Sequence, residues 1–277
     1  MKLRTVYFLV FLSGALIIQT SCTSDVRKKA EARLDQAKSL YEGKQYERAL
    51  LVIDSIQSWY PEEYAVLSQA LELQKTVALE YHEGFINQAS QLLEKAEAQV
   101  EALTKNFYFA EGSGNRPGLY EHKRQTVRNS WSRSFLKVNI TEDGDFWISS
   151  KYYGKTWLDH FCVKVYDRDL QIFSDTIPLG HPDNHKLMDG DDKWETIDYR
   201  NGSDGGMVGF IIENMDRKLK VRFTGKKHYY IVMETFDKEA VRDGMELAQV
   251  LKEVSDLSQK IEKHRKELRV LGIAGEQ

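Results

Sequence analysis

Hydrophobic residues recur at intervals of three and four in two parts of the chain, one near its beginning and one at its end. In the C-terminal part the interval alternates strictly, through Leu247, Val250, Val254, Leu257, Ile261, His264, Leu268 and Leu271. This alternation is typical of a coiled-coil seam. His264 is the polar member of the seam, and we expect it to face Gln74 or another polar residue, because polar seam positions usually fix register.

The N-terminal part contains the matching pattern. Residues 27–60 carry apolar side chains at helical spacing, with a break at Gly43 and a stop at Pro61, which predicts two helices. Residues 62–104 continue the pattern without a proline and predict one long helix. We interpret this helix and the C-terminal one as an antiparallel coiled coil within one chain. Pairing with a second copy, which would make a homo-oligomer, fits the same pattern.

Between the long helices the hydrophobic period changes to two. Residues 135–140, FLKVNI, alternate clearly, and turn signals such as NGSDGG at 201–206 separate similar runs. The run MVGFIIE at 207–213 is continuously apolar, and we interpret it as a central strand. About eight short strands of this kind predict an antiparallel β-sandwich. The predicted fold class is α+β: a helical hairpin and long antiparallel coiled-coil helices flank the inserted sandwich.

The first residues combine a basic start with a short apolar stretch. Lys2 and Arg4 precede residues 5–18, which carry no charge. This arrangement is typical of a secretory signal peptide. The stretch is shorter than the roughly 20 residues that a membrane-spanning helix needs.

The stretch LIIQTSC at 16–22 resembles the lipobox of bacterial lipoproteins. Thr20 and Ser21 suit the two positions before Cys22, whereas Gln19 departs from the family pattern, in which an aliphatic residue is usual. The resemblance implies cleavage before Cys22 and attachment of lipid, palmitate included, to that residue. The predicted partner of the N-terminus is therefore a membrane, reached through covalent lipid.

Residues 27–61 resemble a single tetratricopeptide repeat. The positions that match the family's spacing are Ala37, Tyr46, Ala49 and Pro61. Ile56 stands where the family has a small residue, and Arg33 where it has an aromatic one. Because a solenoid needs about three repeats and no second copy follows, the resemblance implies a helical hairpin and not a peptide-binding superhelix.

These patterns divide the chain into five segments. They are a signal peptide at 1–21, a lipidated tether at 22–26, a helical hairpin with a stalk helix at 27–104, an inserted β-sandwich domain with a leading linker at 105–236, and a C-terminal stalk helix at 237–277.

Charge and cysteine content restrict the partners and the covalent chemistry. The formal net charge of −3 at pH 7 gives no reason to expect nucleic acid binding. The chain has 2 cysteines. If Cys22 carries lipid, Cys162 has no partner for an intrachain disulfide, and we expect it to be buried and unreactive.

Candidate ligand-binding residues lie in the aromatic-rich middle of the chain: Trp147, Trp157, Trp194 and Tyr199. Exposed rings can stack on sugar rings or hold a partner's apolar side chains, although the same residue types also fill sheet cores. Candidate cation-binding residues are Asp189, Asp191 and Asp192, whose oxygens suit calcium but lack the order of an EF-hand. No cofactor other than the covalent lipid and this candidate calcium is predicted.

The sequence contains no GxSxG nucleophile elbow, no HExxH zinc-protease motif and no phosphate-binding glycine loop. We therefore predict a non-catalytic binding or scaffolding protein, lipid-anchored to the cell envelope of a diderm bacterium, on the outer membrane. Its partner would be an envelope protein or a glycan. One alternative is a glycan-binding surface lipoprotein that uses exposed tryptophans, which their burial would disfavour. A less favoured alternative is an envelope hydrolase with a carboxylate pair such as Glu195 and Asp198.

Overall fold

The structure, a computed structural model, describes residues 20–114 and 117–272, with side chains from residue 25 onward. The predicted signal peptide lies outside the described residues except for the backbone of its last two positions, and the side chain of Cys22 lies outside them as well. Within the described residues, no helix is long and apolar enough to span a membrane.

The described chain is mixed helix and strand, as predicted for its class. The helices are α1 (Thr20–Glu42), α2 (Tyr46–Trp59), α3 (Tyr64–Thr104), α4 (Val127–Ser130), α5 (Met207–Glu213) and α6 (Thr235–Val270). The strands are β1 (Phe107–Ala110), β2 (Leu119–His122), β3 (Phe135–Thr141), β4 (Phe146–Gly154), β5 (Cys162–Asp167), β6 (Leu170–Phe173), β7 (Asn184–Asp189), β8 (Asp192–Tyr199), β9 (Lys220–Thr224) and β10 (His228–Val232). The long C-terminal helix predicted from the heptad pattern is present as α6.

The chain forms two compact units. The helical unit comprises the described parts of Met1–Ser90 and Gln259–Gln277, and the β unit comprises Gln91–Ser258. In the helical unit, α1 and α2 meet at a turn in which Lys44 has a φ of +54°. Their small and branched side chains form one core with those of α3: Ala30, Leu34, Ala37, Ala49, Ile53, Ile56, Val66, Ala70 and Val77.

The β unit contains two antiparallel sheets. The six-stranded sheet has the order β1-β2-β3-β4-β8-β7, and the four-stranded sheet has the order β10-β9-β5-β6. A single hydrophobic core draws on both sheets, for example through Ile148 and Val163, and on α6 through Val241. Helix α6 packs closely here, because Gly244 leaves no room for a Cβ beside Val138.

Alternation gives the six-stranded sheet two different faces. On β4, Ile148, Ser150 and Tyr152 are buried on the face that contributes to the core, which we call the inner face. The intervening residues define the outer face together with their register partners on β8 and β7: Trp147, Ser149, Lys151, Tyr153, Trp194, Thr196, Asp198, His185 and Leu187.

The prediction of a central strand at 207–213 is wrong, because this segment is helix α5. Met207 and Ile211, four residues apart, are both fully buried, as expected for one face of a helix. Val208 and Phe210 also pack against the core, so the helix is apolar on most sides. A continuous apolar run therefore fitted a buried helix and a buried strand equally well.

Candidate functional site

A groove of about 140 Å³ lies on the outer face of the six-stranded sheet, lined by Trp131, Lys151, His185, Lys186, Leu187, Trp194 and Thr196. Strand register builds most of it. Lys151 on β4 pairs with Thr196 on β8, which pairs in turn with His185 on the edge strand β7. Trp131 comes from outside the sheet, directly after α4.

The apolar wall of the groove is formed by two tryptophans. The buried Trp194 donates a hydrogen bond from Nε1 to the backbone oxygen of Trp131, at 2.7 Å. Their ring centroids lie 4.6 Å apart, and the ring of Tyr153 lies 5.5 Å from that of Trp194. Trp131 is 43% exposed. Trp194 thus holds Trp131 in position, and Trp131 presents the accessible ring.

The polar centre of the groove is Lys151. It is half-buried, its Nζ lies 5.6 Å from the centre of the Phe135 ring, and it makes a long hydrogen bond of 3.4 Å to the backbone oxygen of Ser130. Burial and the charge of Lys137 lower the pKa of Lys151 below that of an ordinary lysine. Among the described residues, no carboxylate oxygen lies within 4.0 Å of its Nζ.

Farther along the outer face, the side chains contact one another, although the buried Nε1 of Trp147 has no hydrogen-bond partner within the described chain. Asn139 donates to Ser149 Oγ at 2.8 Å, and Ser149 donates to Asp198 Oδ1 at 2.5 Å. The guanidinium of Arg200 covers the ring of Trp147 at 3.6 Å. This part of the face is closed by its own contacts and differs in that respect from the groove.

The structure does not bring the four predicted aromatic residues together. Trp147 and Trp194 lie on the outer face near opposite ends of β4 and β8, and both are buried. Tyr199 is buried on the inner face, where its hydroxyl lies 3.3 Å from Ser150 Oγ. Trp157 is half-buried under Lys186, whose Nζ lies 4.8 Å from the ring centre. Their role in ligand binding stays a prediction. That role depends on exposed rings, and these four rings are buried or half-buried.

The acidic residues proposed for calcium lie at the β7–β8 hairpin. Asp189 and Asp192 are register partners. Asp192 accepts hydrogen bonds from Lys155 Nζ at 2.6 Å and from the Tyr153 hydroxyl at 2.8 Å, which hold its pKa below the usual range. In the described parts of the chain, no group of three or more potential ligands could hold a metal ion. Calcium binding at these residues, Asp191 included, stays a prediction.

A buried hydrogen-bonded chain on the inner face joins Glu195, His160 and Ser150. Glu195 Oε2 accepts from His160 Nδ1 at 2.8 Å, and His160 Nε2 lies 2.9 Å from Ser150 Oγ. Because a carboxylate only accepts, Nδ1 carries a hydrogen, and in the neutral ring Nε2 would accept from the serine hydroxyl. This order of carboxylate, imidazole and hydroxyl is the one found in serine hydrolases. All three residues, however, are 0% exposed, which leaves a substrate no access.

Glu195 also fixes the loop that precedes β5. Its Oε1 accepts the backbone N–H groups of Leu158 at 2.7 Å and Asp159 at 2.8 Å, and its Oε2 accepts that of His160 at 2.9 Å. Burial would raise the pKa of Glu195, but the hydrogen bonds from His160 and the backbone outweigh it and hold that pKa below the ordinary value. Asp159 has a φ of +55°, so the carboxylate organises a strained turn.

Glu195 and Asp198 do not share a cleft. Glu195 faces inward, whereas Asp198 lies on the outer face with Ser149. Two carboxylates on opposite faces of one strand cannot flank a single glycosidic bond.

His264 in the helical unit meets a polar residue, as expected, but that residue is His82 and not Gln74. The two Nδ1 atoms lie 2.9 Å apart, and the ring of Phe85 stacks on His264 with centroids at 3.9 Å. Burial lowers the pKa of both histidines, helped at His82 by the charge of His264. Gln74 instead bonds to other residues of the helical unit.

Cys162 is only half-buried in β5. Burial raises the pKa of its thiol, although the Thr224 hydroxyl acts in the opposite direction. The thiol is therefore a weak nucleophile near neutral pH.

No protein-family model, curated protein or solved structure matches this chain. The fold and the groove define an α+β protein with a helical unit and a two-sheet β unit whose larger sheet carries an open groove.

Proposed function

We propose that the protein is a lipid-anchored, non-catalytic binding or scaffolding protein of the envelope of a diderm bacterium. Lipid on Cys22 would hold it to the outer membrane, and the outer-face groove would contact an envelope protein or glycan. The observation that carries the proposal is the contrast between two sites. The groove exposes Trp131, whereas the hydrolase-like chain of Glu195, His160 and Ser150 is sealed from solvent.

The finer architecture belongs to this proposal. An antiparallel coiled-coil stalk that presents a β-sandwich would set the distance of the groove from the membrane surface. The contact of His264 with His82 and Phe85 of the same chain supports pairing of α6 with α3 in the helical unit. A homo-oligomer through the same helices is the competing arrangement.

Lipid attachment is tested by metabolic labelling with a palmitate analogue. Cys22→Ser should abolish labelling of the protein, and Cys162→Ser, the matched control, should leave labelling at the wild-type level. Undiminished labelling of Cys22→Ser would refute the anchor.

The contact surface is tested by a pull-down from solubilised envelope, with the eluate analysed for proteins and sugars. Leu187 and Leu170 are exposed leucines on edge strands of the two different sheets, at 55% and 40% exposure. Leu187→Glu should lose the captured partner, whereas Leu170→Glu should retain it. Equal retention by both variants would show that the groove is not the contact surface.

A further inference from the structure

The uncompensated charge of the groove suggests the chemistry of its ligand. Three cations lie together on this side of the sheet: Arg133, Lys137 and Lys151. Arg133 makes a bidentate pair with Asp237, at 2.5 and 3.0 Å, and Lys137 pairs with Glu121 at 3.1 Å. Two carboxylates thus neutralise two of the three cations, and one positive charge, that of Lys151, remains for a ligand.

The other charged groups that line the groove each contact a carboxylate. Lys186 forms an ion pair with Asp159, a carboxylate that it shares with Lys226. His185 Nε2 lies 3.9 Å from Asp198 Oδ2. Of the two lysines that line the groove, Lys151 is the one without a carboxylate oxygen of the described residues within 4.0 Å, and its ammonium group matches one carboxylate of a ligand.

The size of the groove and its ring favour a sugar. Its volume of about 140 Å³ is well below the roughly 300–1,000 Å³ of pockets that enclose a whole drug-sized ligand. It therefore suits one ring of a longer molecule whose remainder stays in solvent. Trp131 offers an apolar face for that ring, and the Thr196 hydroxyl, on the neighbouring strand, can bond to ring hydroxyls.

The position of Lys151 argues against an acidic peptide added as a strand. Such a peptide would pair with the edge strand β7, and β8 and β7 separate it from β4. At about 4.8 Å per strand, the peptide backbone would lie roughly 14 Å from the backbone of Lys151. A glutamate side chain does not extend that far, so a molecule lying across the face fits better.

We infer that the groove beneath Trp131 binds a carboxylate-bearing sugar residue, with the ring on Trp131 and the carboxylate on Lys151. This inference rests on the proposed function, because it names the ligand class of the proposed contact surface. Charge-assisted hydrogen bonds between ammonium and carboxylate would supply the selectivity for acidic over neutral sugars.

The test is calorimetric titration of the whole lipid-free mature chain with a glucuronate oligosaccharide and with the corresponding neutral glucose oligosaccharide. The wild type should bind the uronate about tenfold or more tightly than the neutral sugar. Lys151→Met keeps the alkyl chain and should remove this preference, and Trp131→Ala should weaken binding of both sugars. The matched controls, Lys218→Met and Trp59→Ala, change exposed residues that do not line the groove and should bind as the wild type does.

Two results would overturn the inference. One is the absence of uronate binding at millimolar concentration by a wild type that folds normally by circular dichroism. The other is binding of a polyglutamate peptide, with the same dependence on Lys151, in place of the sugar. In either case, loss of the envelope partner by Leu187→Glu would still support the proposed contact surface, so the two proposals can fail separately.

Discussion

Replacement of Glu195 tests how the β unit is held together. Glu195→Gln preserves the shape of the side chain but replaces one carboxylate oxygen with an amide that donates. Four donors meet the carboxylate in the wild type, three from the backbone of residues 158–160 and one from His160 Nδ1. The carbonyl oxygen of glutamine can serve two of them, and its NH₂ group would face the others.

The expected cost follows from these contacts. A buried donor left without an acceptor costs about 1–3 kcal/mol, so two of them cost roughly 2–6 kcal/mol. We expect Glu195→Gln to lower the free energy of unfolding of the β unit by about 2–6 kcal/mol.

Urea unfolding followed by tryptophan fluorescence measures this loss, because Trp131, Trp147, Trp157 and Trp194 all lie in the β unit. The matched control is Glu213→Gln, which changes an exposed glutamate at the end of α5 and should shift stability by less than about 0.5 kcal/mol. If Glu195→Gln changed the free energy of unfolding by an equally small amount, the argument that this carboxylate organises the loop would be refuted.

The same variant should change the response to acid. The pKa of Glu195 is lower in the folded protein than its ordinary value of 4.5. The folded state therefore binds fewer protons than the unfolded state, and the stabilisation is present above about pH 4.5 and lost as the pH falls through the folded pKa. Stability of Glu195→Gln should fall less steeply than that of the wild type in this range, and parallel curves would contradict the assignment.

Two further predictions concern helix packing and the histidine pair. Gly244→Ala should destabilise the β unit by about 1–3 kcal/mol, because the added Cβ would lie 2.5 Å from Val138 Cγ1. Gly209→Ala has nothing within 4 Å of the new Cβ and should stabilise α5 by up to about 1 kcal/mol; similar urea midpoints for the two variants would contradict this. The lowered pKa values of His82 and His264 mean that the helical unit loses stability as the pH falls below about 6.5. In His82→Gln the melting temperature should fall less between pH 7.5 and pH 5.0 than in the wild type. An equal fall in both proteins would refute the role of the histidine pair.

Local signals predicted the helices well. Gly43 and Pro61 mark the ends of α1 and α2 to within a few residues, because glycine at a turn and proline after a helix act through the backbone of their own segment. The heptad alternation ending at Leu271 predicted α6, because this spacing is also a property of the segment itself. Segment 207–213 failed because a continuous apolar run lacks the period that separates helix from strand.

The outer-face groove could not be predicted, because strand register across the sheet creates it. Lys151 and Thr196 are far apart in sequence and meet only through the pairing of β4 with β8. Nothing in the sequence around Trp131 indicated that it packs on Trp194, since it follows a helix of one turn.

The burial of the predicted tryptophans has a common physical cause. Strand register places Trp147 and Trp194 on one face of the sheet, and the alternation of the sequence carries no information about what covers that face. Arg200 lies over the first ring, and Trp131 lies over the second. A large ring on a strand attracts such a cover because burial of its apolar surface is favourable. Of the two tryptophans in contact at the groove, the accessible one is therefore the covering residue, Trp131, and the strand residue Trp194 beneath it serves to position it.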